Sequence, residues 1–222
     1  MTHTLTLQEI ETVTPDTYRL TFNRPADFDF EAGQATELSI QKAGLKDEGR
    51  PFTMTSRPTD KHLEFVIKSY PDHNGVTAEI PKLGMTDQVA ATDPFGAITD
   101  HGPGVFIAGG AGVTPFISIL RKQQQEGEAQ AQLIFANKSD NDIILKDMWQ
   151  SMPNVAETFV VDKAEQSDLR SGRIDKSLLQ ELVTETAQPF YICGPGGMVD
   201  DVRETLGSMG VDDQQIITED GW

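Results

Sequence analysis

Two glycine-rich turns in the second half of the sequence have the residue types and spacing that most directly suggest ligand binding. In the first, Gly109, Gly110 and Gly112 follow an apolar run and precede a helical pattern. Glycine allows positive φ and lets a ligand approach the backbone closely. Thr114 is predicted to cap the helix and Pro115 to occupy its first turn, where free N–H groups attract a phosphate. Pro115 replaces the third glycine of the usual dinucleotide fingerprint, so this turn alone fits a ligand-free connection equally well.

The second turn also follows an apolar run and opens a predicted helix, with the sequence Cys193-Gly194-Pro195-Gly196-Gly197-Met198. In an open parallel sheet, ligands bind at the carboxyl ends of the strands. Both turns are therefore predicted at the same rim, which favours a nucleotide site over two unrelated connections. On its own, Cys193 is more typical of a small buried apolar residue than of a reactive thiol.

A compact polar motif in the first half, residues 50–56, combines a guanidinium group, an aromatic ring and three hydroxyls. Arginine can grip a phosphate with two hydrogen bonds. An aromatic ring can cover a flat heterocycle, and hydroxyls can bond its edge atoms. Thr77, near the start of a predicted short helix, offers a second phosphate site. Read singly, Phe52 is typical of a core residue and Thr53 of a strand hydroxyl.

Composition excludes several classes of protein. The net charge of -17 argues against nucleic acid, whose phosphates require Lys and Arg contacts, and against an anionic membrane surface. The single cysteine cannot form an intrachain disulfide or hold a four-thiolate iron–sulfur cluster, and the four histidines lack metal-ligand spacing. No apolar run approaches the length of a membrane span, and residues 1–4 do not resemble a signal peptide, so a cytoplasmic protein is expected.

The elements that would position these groups differ between the two halves. The first hundred residues alternate strand-like runs with Pro- and Gly-containing turns, which predicts a small antiparallel barrel. The predicted strands are Leu5–Ile10, Tyr18–Phe22, Ala35–Ile40, His62–Lys68 and Gln88–Ala91, with a short helix over 76–83. The Arg50 motif is placed between two strands.

The second half alternates strands with helices, which predicts a doubly wound parallel sheet. The predicted strands are 104–108, 131–136, 156–161, 190–193 and 216–218, and the predicted helices are 115–125, 143–150, 174–183 and 199–209. A turn-rich linker at 101–104 separates the halves, so we expect one domain at 1–100 and a second at 103–222.

With these motifs in this order, the chain resembles the ferredoxin–NADP reductase superfamily from end to end. The family's flavin motif, Arg-x-aromatic-Ser/Thr-x-x-Ser, matches Arg50, Phe52, Thr53 and Ser56, and its Gly-x-Ser/Thr motif matches Gly75 and Thr77. The remaining three are a Gly-Pro-aromatic-Gly turn, in which Asp93 replaces the first glycine, a Gly-x-Gly-x-x-Pro loop and a Cys-Gly-Pro-x-x-Met loop, found at 93–96, 110–115 and 193–198.

The resemblance implies a six-stranded antiparallel FAD-binding barrel followed by an NAD(P)-binding domain, without an iron–sulfur domain. Arg50 and Thr77 would hold the FAD pyrophosphate, Phe52 would stack on the isoalloxazine ring, and Thr53 would bond the flavin near N5. The implied catalytic residues are Thr53, Cys193 and Glu219. The implied cofactor-binding residues are Arg50, Pro51, Phe52, Thr53, Ser56, Val66, Ile67, Lys68, Gly75, Val76, Thr77, Gly110, Ala111, Gly112, Val113, Thr114, Pro115, Asp162, Lys163, Cys193, Gly194, Pro195, Met198 and Trp222.

The implied activity is hydride transfer between NAD(P)H and FAD, followed by electron transfer to a redox partner protein or a small-molecule acceptor. Ferredoxin, flavodoxin or an oxygenase component would be the partner protein. A free-flavin or ferric reductase is an alternative, and a non-catalytic nucleotide-binding regulatory subunit is a rival from another class.

The choice of nicotinamide cofactor is predicted from the segment after the third strand of the second half. Asp162-Lys163 is similar to the Asp-Arg pair of NADH-dependent relatives, since a carboxylate accepts a bond from the free ribose hydroxyl and repels a 2′-phosphate. NADH is therefore expected, with NADPH as the alternative. Residues 137–139, Asn-Lys-Ser, could also reach the ribose and would favour the phosphate.

Overall fold

A computed structural model describes residues 1–42, 44–72, 75–96, 98–127, 130–164 and 169–219. The chain forms two compact units. The first contains Met1–Asp100 together with Thr114–Ile119, and the second contains His101–Val113 together with Leu120–Trp222.

The first unit is a six-stranded antiparallel sheet that closes into a barrel. Its strands are β1 (Thr2–Thr14), β2 (Thr17–Asn23), β3 (Ala35–Ile40), β4 (Arg50–Thr53), β5 (His62–Lys68) and β6 (Gln88–Thr92). They are ordered β4-β3-β6-β1-β2-β5, and an isolated bridge between Met54 and Phe65 joins the two edge strands. This bridge, together with the hydrogen bond from the N–H of Thr55 to the carbonyl of Glu64, nearly closes the sheet into a barrel.

Alternating apolar side chains fill the barrel. Leu5 and Leu7 of β1 are buried beside Leu20 and Phe22 of β2. Helix α1 (Val76–Glu79) and the 3₁₀ turn Ile80–Lys82 add buried apolar residues to this core. The barrel predicted from the sequence is confirmed, with β3 and β5 at the predicted residues.

The Arg50 motif differs from its predicted position between strands. Its first four residues form β4, which pairs with β3 from Ala35↔Thr53 to Leu38↔Arg50. Pro51 has no N–H to donate to a sheet ladder. A proline is tolerated in β4 because β4 lies at one end of the strand order.

The second unit is a six-stranded sheet in which every pairing is parallel. Its strands are β7 (Val105–Gly109), β8 (Ala131–Asn137), β9 (Val155–Val161), β10 (Arg170–Ser171), β11 (Phe190–Cys193) and β12 (Ile216–Ile217), and the order is β10-β9-β8-β7-β11-β12. The chain runs outward from β7 to β10 and then returns to β11 on the other side of β7. The topological switch point therefore lies between β7 and β11.

The helices that follow the strands are α2 (Thr114–Glu126), α3 (Lys146–Ser151), α4 (Lys176–Leu182) and α5 (Gly196–Ser208). The doubly wound fold predicted from the sequence is thereby confirmed. Among the described residues, no helix is long and apolar enough to cross a membrane.

The four helices of this unit begin at Thr114, Lys146, Lys176 and Gly196, whereas the predicted starts were 115, 143, 174 and 199, and two of the differences have a clear local cause. Thr114 was expected to cap α2, but a 3₁₀ turn over Gly110–Val113 runs straight into the helix, so Thr114 is its first helical residue. The helix predicted at 143–150 begins only at Lys146, because Leu145 adopts a left-handed conformation with φ of 55°. In both places the local backbone path overrides the pattern of side chains.

Tyr191 ties the segment that enters β7 to the core of the second unit. Its fully buried ring stacks on Phe106 with centroids 4.1 Å apart. Its hydroxyl accepts a hydrogen bond from the N–H of His101 at 2.8 Å and donates one to the carbonyl of Gly102 at 2.7 Å.

We expect Tyr191→Phe to lower the free energy of unfolding of the parallel-sheet unit by about 1–3 kcal/mol, because two backbone groups lose a partner while the apolar packing stays. Urea unfolding checks this, with Tyr18→Phe in the barrel as the control. An unchanged unfolding transition for Tyr191→Phe would show that these hydrogen bonds contribute nothing.

Candidate functional site

The two glycine-rich turns meet at the switch point of the parallel sheet. Ala108 of β7 pairs with Cys193 of β11, so both turns start side by side. A side-chain carbon at Gly112 would lie 2.3 Å from the carbonyl oxygen of Cys193, and one at Gly109 would lie 2.7 Å from the sulfur of Met198. The two turns therefore pack backbone against backbone at Gly112, and Gly109 packs against the side chains of Pro195 and Met198.

The outer sides of the same turns are open. A side-chain carbon at Gly110, Gly196 or Gly197 would have no neighbour within 4 Å, and Gly110 has a φ of 53°. Gly196 and Gly197 form the first turn of the thirteen-residue helix α5, whose N-cap, Pro195, provides no side-chain cap. Backbone N–H groups at such a helix start are suited to hold an anion. At this edge of the sheet the backbone is therefore tightly packed at Gly112 and accessible at Gly110, Gly196 and Gly197.

Cys193 is held as a neutral thiol. Burial raises the pKa of Cys193 to about 12, and the nearby carboxylate of Glu219 adds to the rise. The structure thus brings together two of the three residues for which a catalytic role was predicted. A thiol that stays protonated is a poor nucleophile.

The outer strands of the sheet place further polar groups along the rim. Asp162 and Lys163 follow β9 and are exposed. Asn137 ends β8 opposite Val161, and its buried amide atoms have no hydrogen-bond partner among the described residues. The same holds for both carboxylate oxygens of Asp140. Buried polar atoms in this state are rare, so they mark polar capacity that a ligand or water would satisfy.

Asp140 was missed from the sequence, because nothing in a polar turn shows which of its side chains will be covered. Residues 137–139 were predicted as the alternative segment that could reach the ribose and favour NADPH. One of their side chains is already engaged, since the hydroxyl of Ser139 donates a hydrogen bond to Asp142 at 2.7 Å.

In the barrel, the flavin motif lies along β4 and the residues just beyond it. Phe52 is half-buried and packs against the barrel core, and Pro51 and Thr53 are also half-buried. Ser56 is buried, and its hydroxyl accepts a hydrogen bond from the N–H of Glu64 at 3.1 Å. Its carbonyl accepts one from the hydroxyl of Ser118 at 2.6 Å. Ser56 is thus fixed within the barrel, whereas Phe52 and Thr53 keep accessible surface.

The predicted flavin-lining residues of β5 form a rigid wall. Val66 and Ile67 are buried, and the ammonium group of Lys68 lies 2.7 Å from Asp16. Burial alone would raise the pKa of Asp16, but the hydrogen bond and charge of Lys68, with hydroxyls of Thr14 and Thr17, lower it overall. The Lys68 side chain is therefore committed, and its backbone is the part available to a ligand.

The two predicted phosphate-binding elements of the barrel face one position. The Nη2 atom of Arg50 lies 3.9 Å from the Oε2 atom of Glu48, and a side-chain carbon at Gly75 would lie 3.9 Å from the same oxygen. Val76 is buried and Thr77 half-buried at the start of α1. A carboxylate of the chain itself thus lies beside both Arg50 and Gly75, the two elements that are predicted to hold the FAD pyrophosphate, so the two elements lie close enough together to face one anion.

Trp222, which was predicted to bind the cofactor, lies outside the described residues. Among the described residues, no group of three or more His, Cys, Asp or Glu side chains could hold a metal ion.

Comparison with known proteins assigns a domain class to each half. Residues 4–99 match the oxidoreductase FAD-binding domain, and residues 106–204 match the oxidoreductase NAD-binding domain. The fold and the two sites thus define a protein with a flavin domain and a nicotinamide-nucleotide domain. The chain belongs to the ferredoxin–NADP reductase superfamily.

Individual relatives agree with this class. The chain is 30% identical to the reductase component of propane 2-monooxygenase from Rhodococcus jostii, over 93% of this chain and 60% of that protein. It is 27% identical to NADH-cytochrome b5 reductase 2 from Aspergillus niger, over 92% of this chain and 69% of that protein. The fold is shared with a ferredoxin NADP+ reductase from Neisseria gonorrhoeae, at a TM-score of 0.85 and 23% identity, over 100% and 99% of the two chains.

The raised pKa of Cys193 predicts that its thiol reacts slowly with an alkylating agent while the protein is folded. At pH 8 iodoacetamide should alkylate the folded protein at least about 100-fold more slowly than the urea-unfolded chain, whose thiol has an ordinary pKa of about 8.5. Because the unfolded thiol ionises first, its contribution to stability is present below about pH 8.5 and falls as the pH rises above that value. Equal alkylation rates for the folded and unfolded chain would contradict the neutral, buried thiol.

Proposed function

We propose that this chain is an FAD-dependent oxidoreductase that moves a hydride between a reduced nicotinamide dinucleotide and FAD and passes electrons to a separate acceptor. The observation that carries the proposal is the pairing of an FAD-binding domain and an NAD-binding domain in one chain. The convergence of Arg50 and Gly75 on one carboxylate oxygen supports the flavin half of the proposal. The open backbone at Gly196 and Gly197 supports the nucleotide half.

In this proposal residues 1–100 hold the flavin. Arg50 and Thr77 bind its pyrophosphate, and the exposed part of Phe52 covers its ring. The hydroxyl of Thr53 is positioned to bond the ring edge near N5, while the backbone at 66–68 supplies fixed donors and acceptors. Because Ser56 and Lys68 are already bonded within the barrel, they keep this wall in place.

Residues 103–222 hold the dinucleotide in this proposal. The turn at 110–115 and the start of α5 bind its phosphates through backbone N–H groups. Cys193 packs beside the nicotinamide and, as a neutral thiol, neither takes nor gives a proton. When bound, the flavin accepts two electrons as a hydride and can release them one at a time. The contribution of the protein is therefore to bind, to orient and to exclude water.

The acceptor is proposed from the relatives and from the chain's own composition. Relatives include the reductase component of propane 2-monooxygenase and the electron transfer component of 2-halobenzoate 1,2-dioxygenase. The chain spans about 60% of the length of the first of these. The single cysteine of this chain cannot hold a four-thiolate cluster, and from these relatives we propose a redox partner, such as an oxygenase component or a ferredoxin, as acceptor. A cytoplasmic location is part of the proposal.

The cofactor assignment predicts that the purified protein releases FAD, and not FMN, on denaturation. Arg50→Ala should weaken FAD binding by at least about tenfold, because it removes a charge-assisted hydrogen bond. Flavin fluorescence titration measures this. Arg170→Ala, which removes an equal charge from an exposed ion pair in the other unit, is the control and should leave FAD binding unchanged. Full FAD affinity in Arg50→Ala would remove Arg50 from the site, and release of FMN would defeat the assignment.

The nucleotide assignment predicts a higher kcat/KM for NADH than for NADPH. Asp162 accepts a hydrogen bond from the free 2′-hydroxyl of the adenosine ribose and repels a 2′-phosphate. Asp162→Ser should shift the ratio of the two kcat/KM values toward NADPH by about tenfold. Asp147→Ser, an exposed change in α3, serves as the control. A preference of the wild type for NADPH would sink the idea.

A further inference from the structure

Glu48 lies at the position that the flavin pyrophosphate would occupy. Its Oε2 atom is 3.9 Å from Nη2 of Arg50 and 3.9 Å from a side-chain carbon placed at Gly75. The Glu48 and Arg50 side chains are 49% and 53% exposed. The motif that predicts phosphate binding is therefore already in contact with an anion of the chain itself.

The backbone on both sides of Glu48 is held by contacts within the barrel. On one side, the half-buried Leu45 packs against the barrel core, and its carbonyl accepts a hydrogen bond from the N–H of Glu48 at 3.2 Å. On the other side, Gly49 lies so close to Glu37 that a side-chain carbon would be 2.0 Å from Oε1 of Glu37. The carbonyl of Gly49 accepts a hydrogen bond from Nη1 of Arg50 at 2.7 Å. The loop thus presents the Glu48 carboxylate to Arg50.

We infer that Glu48 is a specificity-determining residue of the flavin site, which competes with the pyrophosphate of FAD for Arg50 and lowers the affinity for phosphate-bearing flavins. This inference rests on the proposed function, because it assumes that Arg50 and Gly75 hold FAD. Riboflavin has no phosphate, so its binding does not compete with the Glu48 carboxylate for Arg50. The phosphates of FMN and FAD both compete with it.

The geometry makes Glu48 a weak competitor that does not block the site. At 3.9 Å the pair with Arg50 is longer than a hydrogen bond, and exposed ion pairs of this kind contribute little and exchange readily. A bound phosphate displaces the carboxylate but still experiences its charge. One unit charge at about 4 Å in a water-like dielectric changes a binding constant by about fivefold. Salt screens such an interaction, so the effect should shrink as ionic strength rises.

The test removes the charge of Glu48 and keeps the shape of its side chain. The full chain is stripped of flavin and titrated with FAD, FMN and riboflavin at low and at high salt, with flavin fluorescence as the readout. The variants are Glu48→Gln and Asp47→Asn. Asp47 is the exposed neighbour in the same loop, so its variant matches the change in net charge without touching Arg50.

We expect Glu48→Gln to bind FAD and FMN about fivefold more tightly than the wild type at low salt, and less so at high salt. Riboflavin affinity should not change, and Asp47→Asn should resemble the wild type for all three flavins. Equal FAD affinity in the wild type and Glu48→Gln would overturn the inference alone, as would an equal gain for riboflavin. Absence of FAD binding in every variant would overturn the proposed function together with the inference.

Discussion

The contact between two backbones at the switch point of the parallel sheet is the constraint on which the nucleotide half depends. Gly112 faces the carbonyl oxygen of Cys193, and a side-chain carbon there would lie 2.3 Å from it. Because neither turn can move outward without losing this contact, the turn after β7 and the start of α5 stay fixed at one rim. Cys193, which lies at this contact, is half-buried, and desolvation together with the charge of Glu219 raises the pKa of its thiol to about 12.

In the barrel, the corresponding constraint concerns Arg50, which is the first residue of β4, a strand at the edge of the sheet. Strand β4 pairs with β3 on one side, and the bridge between Met54 and Phe65 closes the other side just beyond it. Closure fixes residues 54–56 within the barrel and leaves Arg50 at the open end of the strand. In a chain with a net charge of -17, this guanidinium is a local attraction for phosphate in a field that opposes it.

Strands that consist of a short apolar run bounded by turn residues are predictable from the sequence. Strands β3, β5 and β11 were predicted at their observed residues, because burial on one or both faces leaves a local signal in the pattern. Strand β4 was not predicted, because it contains Pro51 and a proline is compatible with a strand only at the edge of a sheet, a position that the local sequence does not reveal. The placement of Glu48 beside Gly75 was not predicted either, since that depends on two loops that are distant in the chain meeting in the fold. The roles given to Thr53, Cys193 and Glu219 stay predictions.

In the proposed function, electrons enter this protein as a hydride from a nicotinamide dinucleotide and leave through FAD. Anaerobic titration of the purified, flavin-loaded chain with NADH, followed by its visible spectrum, tests this claim most directly. The account predicts that the flavin absorbance is lost on addition of about one equivalent of NADH and returns when an electron acceptor is supplied. A flavin band that survives an excess of both NADH and NADPH would contradict it.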